Sequence, residues 1–111
     1  MGEASEQQAV VEWCAWKRIP VFHIPNGGWR HKHTAYQLKR QGVKPGVPDL
    51  FVPVAAGGKH GLFVEMKAEG GGRTSQAQRE WIRTLREQGY RAEVCHGAGA
   101  AIAVIEGYLA G

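Results

Sequence analysis

Acidic residues are missing from a long internal stretch of this chain: none occurs between Trp13 and Pro48. Cysteine is scarce as well. Cys14 and Cys95 are the only two, with no CxxC pair, which leaves a zinc knuckle unsupported and a disulfide framework unexpected. Both read as reduced core residues. No apolar run approaches membrane-spanning length. The first residues, MGEASEQQAVVEW, start acidic and lack the basic region and apolar segment of a secretory signal. The expectation is a soluble, cytoplasmic protein without a membrane partner. The one glycine run, EGGGRT, is poor evidence for a phosphate cradle, and no small-molecule organic cofactor is expected.

What is present is a chain of 111 residues, 43% hydrophobic and 22% charged, a balance that fits one globular domain over 1–111 rather than a disordered or fibrous chain. Fourteen Lys and Arg against ten Asp and Glu give +4, and the distribution matters more than the total. Seven of the bases lie in the acid-free stretch: Lys17, Arg18, Arg30, Lys32, Lys39, Arg40 and Lys44, interleaved with Trp29, His31, His33 and Tyr36. Such a stretch is either a solvated basic face or a surface for a nucleic-acid backbone, whose counterions clustered cations release. The latter reading is favoured.

Spacing in SEQQAVVEWCAWKR puts Ala9, Val10, Trp13 and Trp16 or Lys17 at helical intervals, with Ser5 as N-cap. IPVFHIP reads as a strand ending at the turn PNGG. HTAYQLKRQG reads as a short helix ending at Gly42, and DLFVPV and GLFVEMK as strands joined by AAGGKHG. After the glycine break, SQAQREWIRTLREQG sets Ala77, Trp81, Ile82 and Leu85 on one face. Ser75 and Gln78 match a capping box there, and Gly89 suits the C-terminal end. YRAEVC gives a last strand and AAIAVIEGYLA a closing helix with Ile102, Ile105 and Leu109 aligned. The order α-β-α-β-β-α-β-α predicts an α/β fold, a mixed central sheet flanked by helices.

Two of these strands carry charge where a buried strand should be apolar, and an ionisable group there is costly without a partner, a metal or a task. Side chains alternate across a sheet, so Glu65 and Lys67 share one face while Met66 points to the core. If the strand after Asp49 pairs with the Glu65 strand, the two carboxylates and the lysine converge. Hard oxygen ligands of that kind suit Mg²⁺ or Mn²⁺.

Pro48-Asp49 and Glu65-Met66-Lys67 resemble the motif of the PD-(D/E)xK nuclease superfamily. Together with SEQQAVVEW, FHIPNGG, GVKPGVPDLFVP, GLFVEMKAEGGGRTSQAQREW and LREQGYRAEVCHG, they make nearly the whole chain similar to the VRR-NUC family, the virus-type replication-repair nucleases. That resemblance implies a restriction-endonuclease-like core, a divalent-metal site and phosphodiester hydrolysis. It implies that Asp49, Glu65 and the backbone carbonyl of Met66 bind metal. Glu6 matches the family's N-terminal acid, to hold a second metal or orient water, with Glu3 and Glu12 as less favoured substitutes; a first-turn carboxylate favoured by the helix dipole is the competing reading. Lys67 would position the attacking water and stabilise phosphate charge, or simply pair with Glu65. Gln78 matches a glutamine directed towards the site, beside its capping role. Asn26 sits where the family has a polar residue, although Asn-Gly alone means a turn. His23 reads as a strand histidine, and His31 and His33 as facing phosphate or solvent. Arg73 joins Arg30, Lys32, Lys39, Arg40 and Lys44 as a candidate DNA contact.

The function expected is therefore a Mg²⁺-dependent DNA endonuclease leaving a 5′-phosphate and a 3′-hydroxyl. By analogy with the small bacterial or phage-encoded members, it would act as a homodimer on branched DNA, a four-way (Holliday) junction above all. A flap or linear-duplex nuclease, a nucleic-acid-binding module without catalysis and a partner-binding subunit are the alternatives. The binding module has no need of Asp49, Glu65 and Lys67 together, and the partner-binding subunit predicts no metal binding at all.

Overall fold

The computed structural model describes residues 2–26 and 32–111, with positions 32 and 33 described by their backbone alone. Eight elements follow in chain order: α1 (Glu3–Lys17), β1 (Phe22–His23), α2 (Lys32–Arg40), β2 (Leu50–Val52), β3 (Leu62–Lys67), α3 (Gln76–Glu87), β4 (Arg91–His96) and α4 (Ala98–Ala110). The strands form one mixed sheet in the order β1-β2-β3-β4. β1 with β2 and β2 with β3 are antiparallel, while β3 and β4 are parallel and joined by the α3 crossover. α1 and α4 pack together over one face, and α3 packs against β4. This is the α/β architecture read from the sequence.

The core lies between the sheet and the α1/α4 layer. Leu50, Val52, Leu62, Val64 and Met66 meet Val10, Cys14, Ala101, Ile105 and Tyr108 there, each large apolar side chain contributing about 1.5–3 kcal/mol by leaving water. Met66 points into this core, so Glu65 and Lys67 take the opposite face. Phe63, Phe51, Phe22 and Tyr90 form an aromatic cluster linked by ring contacts at 4.3–6.0 Å.

Two helices differ in phase from the periodicity of their large side chains. α1 starts at Glu3 after Gly2, not after Ser5, and buries Glu6, Val10 and Cys14, whereas Trp16 is 76% exposed. Indole bulk suggests the wrong stripe: α1 must approach α4 closely, and small Cys14 allows that. α4 buries Ala101, Ile105 and Tyr108, with Ile102 and Leu109 half-buried beside them. The Tyr108 hydroxyl donates to the Val54 carbonyl, so the ring can sit inward without orphaning its oxygen.

One glycine fixes where the chain enters β2. Gly46 has φ +89°, and a Cβ there would lie 2.5 Å from the Ala77 carbonyl carbon. The turn leading to Pro48-Asp49 therefore rests directly on the first turn of α3, which brings Asp49 and Gln78 into one neighbourhood.

Candidate metal centre and nucleic-acid face

The site grows from strand register. Leu50 pairs with Val64 in the antiparallel β2–β3 ladder, so one residue back Asp49 stands opposite Glu65 and on the same face. At that point the backbone ladder gives way, and Met66 N–H donates to Asp49 Oδ2 at 2.8 Å. The parallel side explains what is left over. Arg91 N–H donates to Gly61 O and Gly97 N–H to Lys67 O, so odd-numbered residues of β3 face β4. Met66 directs both its N–H and its carbonyl towards the Asp49 side.

Glu3, Asp49 and Glu65 each offer a carboxylate oxygen within 4.8 Å of the others. They come from three segments: the first turn of α1, the entry to β2 and the middle of β3. Glu65 is 3% exposed. It accepts from Gln78 Nε2 at 2.8 Å and lies 3.8 Å from Lys67 Nζ. Burial first, then the Asp49 charge and a hydrogen bond with Asp49, with Glu3 a smaller contributor, raise the Glu65 carboxyl from 4.5 to about 8, against the opposing pull of Lys67. Without further positive charge, Glu65 keeps its proton at neutral pH, as desolvation beside like charge dictates. A hard cation would supply that charge, and the all-oxygen donor set fits one.

Gln78 both caps α3 and reaches Glu65. Its Oε1 accepts from Ser75 N–H at 2.9 Å while Ser75 Oγ accepts from Gln78 N–H at 3.1 Å, completing the capping box. Its Nε2 is then free for Glu65.

Glu6 is not one of the three acids that share this 4.8 Å grouping. It is 6% exposed, and its Oε1 accepts from Ala98 N–H at 3.2 Å, at the N-terminus of α4. The positive end of α4 and this charge-assisted bond suit a buried carboxylate. Where the sequence pattern points to Glu6, the α1 acid whose carboxylate lies with those of Asp49 and Glu65 is Glu3, one turn earlier, while Glu6 meets the start of α4. The signal lay in the i, i+4, i+8 stripe of Glu6, Val10 and Cys14, which sends Glu6 into the α1–α4 seam. Glu12 is exposed and accepts from Gln8.

Among the other candidates, Asn26 Nδ2 donates to Val47 O at 2.8 Å, which ties the end of the β1 segment to the turn before Asp49. His23 lies with its Nδ1 2.8 Å from Asp49 O, an anchor that the sequence pattern does not single out. Lys39 and Arg40 close α2 and are exposed, as are Lys44 and Arg73. The Arg40 guanidinium lies 5.8 Å from the Tyr36 ring centroid, a cation–π contact. Trp29, Arg30, His31 and the side chains of Lys32 and His33 lie outside the described residues. No described helix is long and apolar enough to cross a membrane.

A mixed sheet that gathers acids from α1, the entry to β2 and β3 is consistent with a nuclease domain, and the comparisons supply the family. The VRR-NUC domain family matches residues 1–99. A solved structure described as a VRR_NUC domain protein superposes with a TM-score of 0.84 at 34% identity, over 99% of this chain and 89% of that one. No curated protein matches. The chain belongs to the VRR-NUC family, a family of nucleases. Membership implies divalent-metal use and DNA as the substrate.

Proposed function

We propose that this chain is a Mg²⁺- or Mn²⁺-dependent DNA endonuclease. The observation that carries the reading is the convergence of Glu3, Asp49 and buried Glu65 within 4.8 Å. Those three carboxylates and the Met66 carbonyl would hold the ion. When bound, a divalent ion there supplies Lewis-acid stabilisation of phosphate charge and makes water acidic enough to act near neutral pH.

The chain's own residues do the rest. Gln78 and the Met66 N–H fix the orientations of Glu65 and Asp49 by hydrogen bonds of 2.8 Å, so the acids need not reorganise when substrate arrives. Lys67, held 3.8 Å from Glu65, extends an ammonium towards the phosphate, where it orients the attacking water and offsets developing charge. Lys39, Arg40, Lys44 and Arg73, with Arg30 and Lys32, grip backbone phosphates and carry little base information. Cleavage leaves a 5′-phosphate and a 3′-hydroxyl.

The finer reading is a structure-specific enzyme working as a homodimer on branched DNA, with residues 1–111 as a single nuclease domain. The small size of the described core supports it: one protomer has little surface with which to hold a second duplex arm, and a dyad supplies that surface together with a second site for the opposing strand. Purified protein incubated with linear, flapped and four-way-junction DNA, in Mg²⁺ or EDTA, tests the whole reading. Paired nicks across a junction in Mg²⁺, none in EDTA, and a dimer by light scattering are expected. A monomer that cuts linear duplex as readily as junctions refutes the finer reading, and cleavage in EDTA refutes the metal site.

A further inference from the structure

The three acids sit on three segments of chain, and their orientations are accounted for only in part by Gln78 and the Met66 N–H. Nothing in those two contacts sets the backbone of Asp49 itself, or holds α1 against it. β1 is a strand of only two residues, too short to fix a register by its ladder alone.

We propose that His23 is a positioning residue for the metal site, clamping the Asp49 backbone and, through Gln7, joining it to the helix that carries Glu3; this rests on the metal-dependent reading above. The Asp49 carbonyl accepts from Ile24 N–H at 2.7 Å and lies 2.8 Å from His23 Nδ1. A carbonyl can only accept, so Nδ1 bears the proton and donates it. Both lone pairs of Asp49 O are then occupied, and the peptide cannot swing.

The same Nδ1 lies 3.2 Å from the Gln7 side-chain amide nitrogen. Because the Nδ1 proton is committed to Asp49, the amide turned by half a rotation, with its oxygen inward, becomes a second acceptor of that proton. Gln7 lies four residues after Glu3, one turn along the same face of α1. The imidazole therefore spans the two segments that present Glu3 and Asp49. His23 is exposed and pairs with Leu50 at the sheet edge, so it fills no core space that would account for its placement.

The test is calorimetric titration of the metal-free protein with Mn²⁺, independent of any cleavage assay. His23→Asn, His23→Gln and His23→Leu are compared with the parent, and Glu65→Gln serves as the control without the central ligand. Asn carries its amide nitrogen about where Nδ1 stands, whereas Gln carries it where Nε2 stands. Loss of an outer hydrogen-bond partner of a metal ligand typically weakens metal affinity by about 10–100-fold. His23→Leu and His23→Gln should each bind Mn²⁺ about 10-fold more weakly, and His23→Asn within about 3-fold of the parent. If His23→Leu misfolds, the Asn and Gln pair carries the comparison alone. Parental affinity in His23→Gln, or equal weakening by Asn and Gln, overturns the clamp. A parent that binds Mn²⁺ no better than Glu65→Gln overturns the metal site instead, and the clamp with it.

Discussion

Glu65 should make the metal-free protein less stable as pH rises, and Glu65→Gln should remove that dependence. With its carboxyl raised from 4.5 to about 8 by burial and by Asp49, Glu65 in the folded chain holds a proton between those values that the unfolded chain has already released. Unfolding then gives up a proton, so stability falls across this window. The full shift corresponds to an upper limit of about 5 kcal/mol, and relaxation of the open site makes ~2–4 kcal/mol the expected loss. The introduced amide mimics the protonated carboxyl, accepting from Gln78 and donating to Asp49. Urea unfolding in EDTA between pH 5 and pH 9 reads the effect, and subtracting the Glu65→Gln curve cancels the other titrating groups. At a slope of about 2 kcal/mol per molar urea, the parent's midpoint should drop by roughly 1–2 M relative to the variant. Saturating Mg²⁺ should restore most of it by binding only the folded state. Parallel curves for the two proteins would refute the burial-and-repulsion argument.

Asp49→Asn, Glu65→Gln and Lys67→Ala should each abolish cleavage while gel-shift affinity for DNA stays within several-fold of the parent, because affinity resides in phosphate contacts. Glu3→Gln should impair cleavage with little change in melting temperature, whereas Glu6→Gln should cost about 1–2 kcal/mol of stability by weakening a charged helix-end bond; the reverse pattern would reassign the α1 acid. Replacing Arg30, Lys32, Lys39 and Arg40 together by Ala should weaken binding to every DNA sequence and reduce the log–log salt slope by up to about 3–4, and an unchanged slope would leave this stretch a solvated surface. Gly46→Ala, which meets Ala77 at a positive φ, should destabilise by ~1–3 kcal/mol in thermal melts.

Strand chemistry is local, and it was legible. Period-two alternation alone sends Met66 inward and Glu65 and Lys67 outward, and an apolar run directly after Asp49 sets it level with Glu65 once β2 and β3 pair. The capping box at Ser75 and Gln78 is likewise contained in four residues. Helix phase is not local. Trp13 and Trp16 carry far more apolar area than Cys14, yet α1 buries the stripe with the smaller residue, which turns Glu6 towards α4 and leaves Glu3 beside Asp49 and Glu65. The His23 clamp is invisible for a related reason: it depends on a strand of two residues finding Asp49, 26 positions away.

The bond from Ala98 N–H to Glu6 spans 92 positions, and it bears on the order in which the molecule can assemble. α1 docks on α4 and β3, so seating it requires a loop closure whose entropy cost grows with the intervening chain. β2, β3, α3 and β4 can pair through nearer contacts, bringing Asp49, Glu65 and Gln78 together beforehand. Glu3 arrives only with α1. Asp49 and Glu65 can thus meet through the sheet alone, whereas the grouping of all three carboxylates depends on the docking of α1.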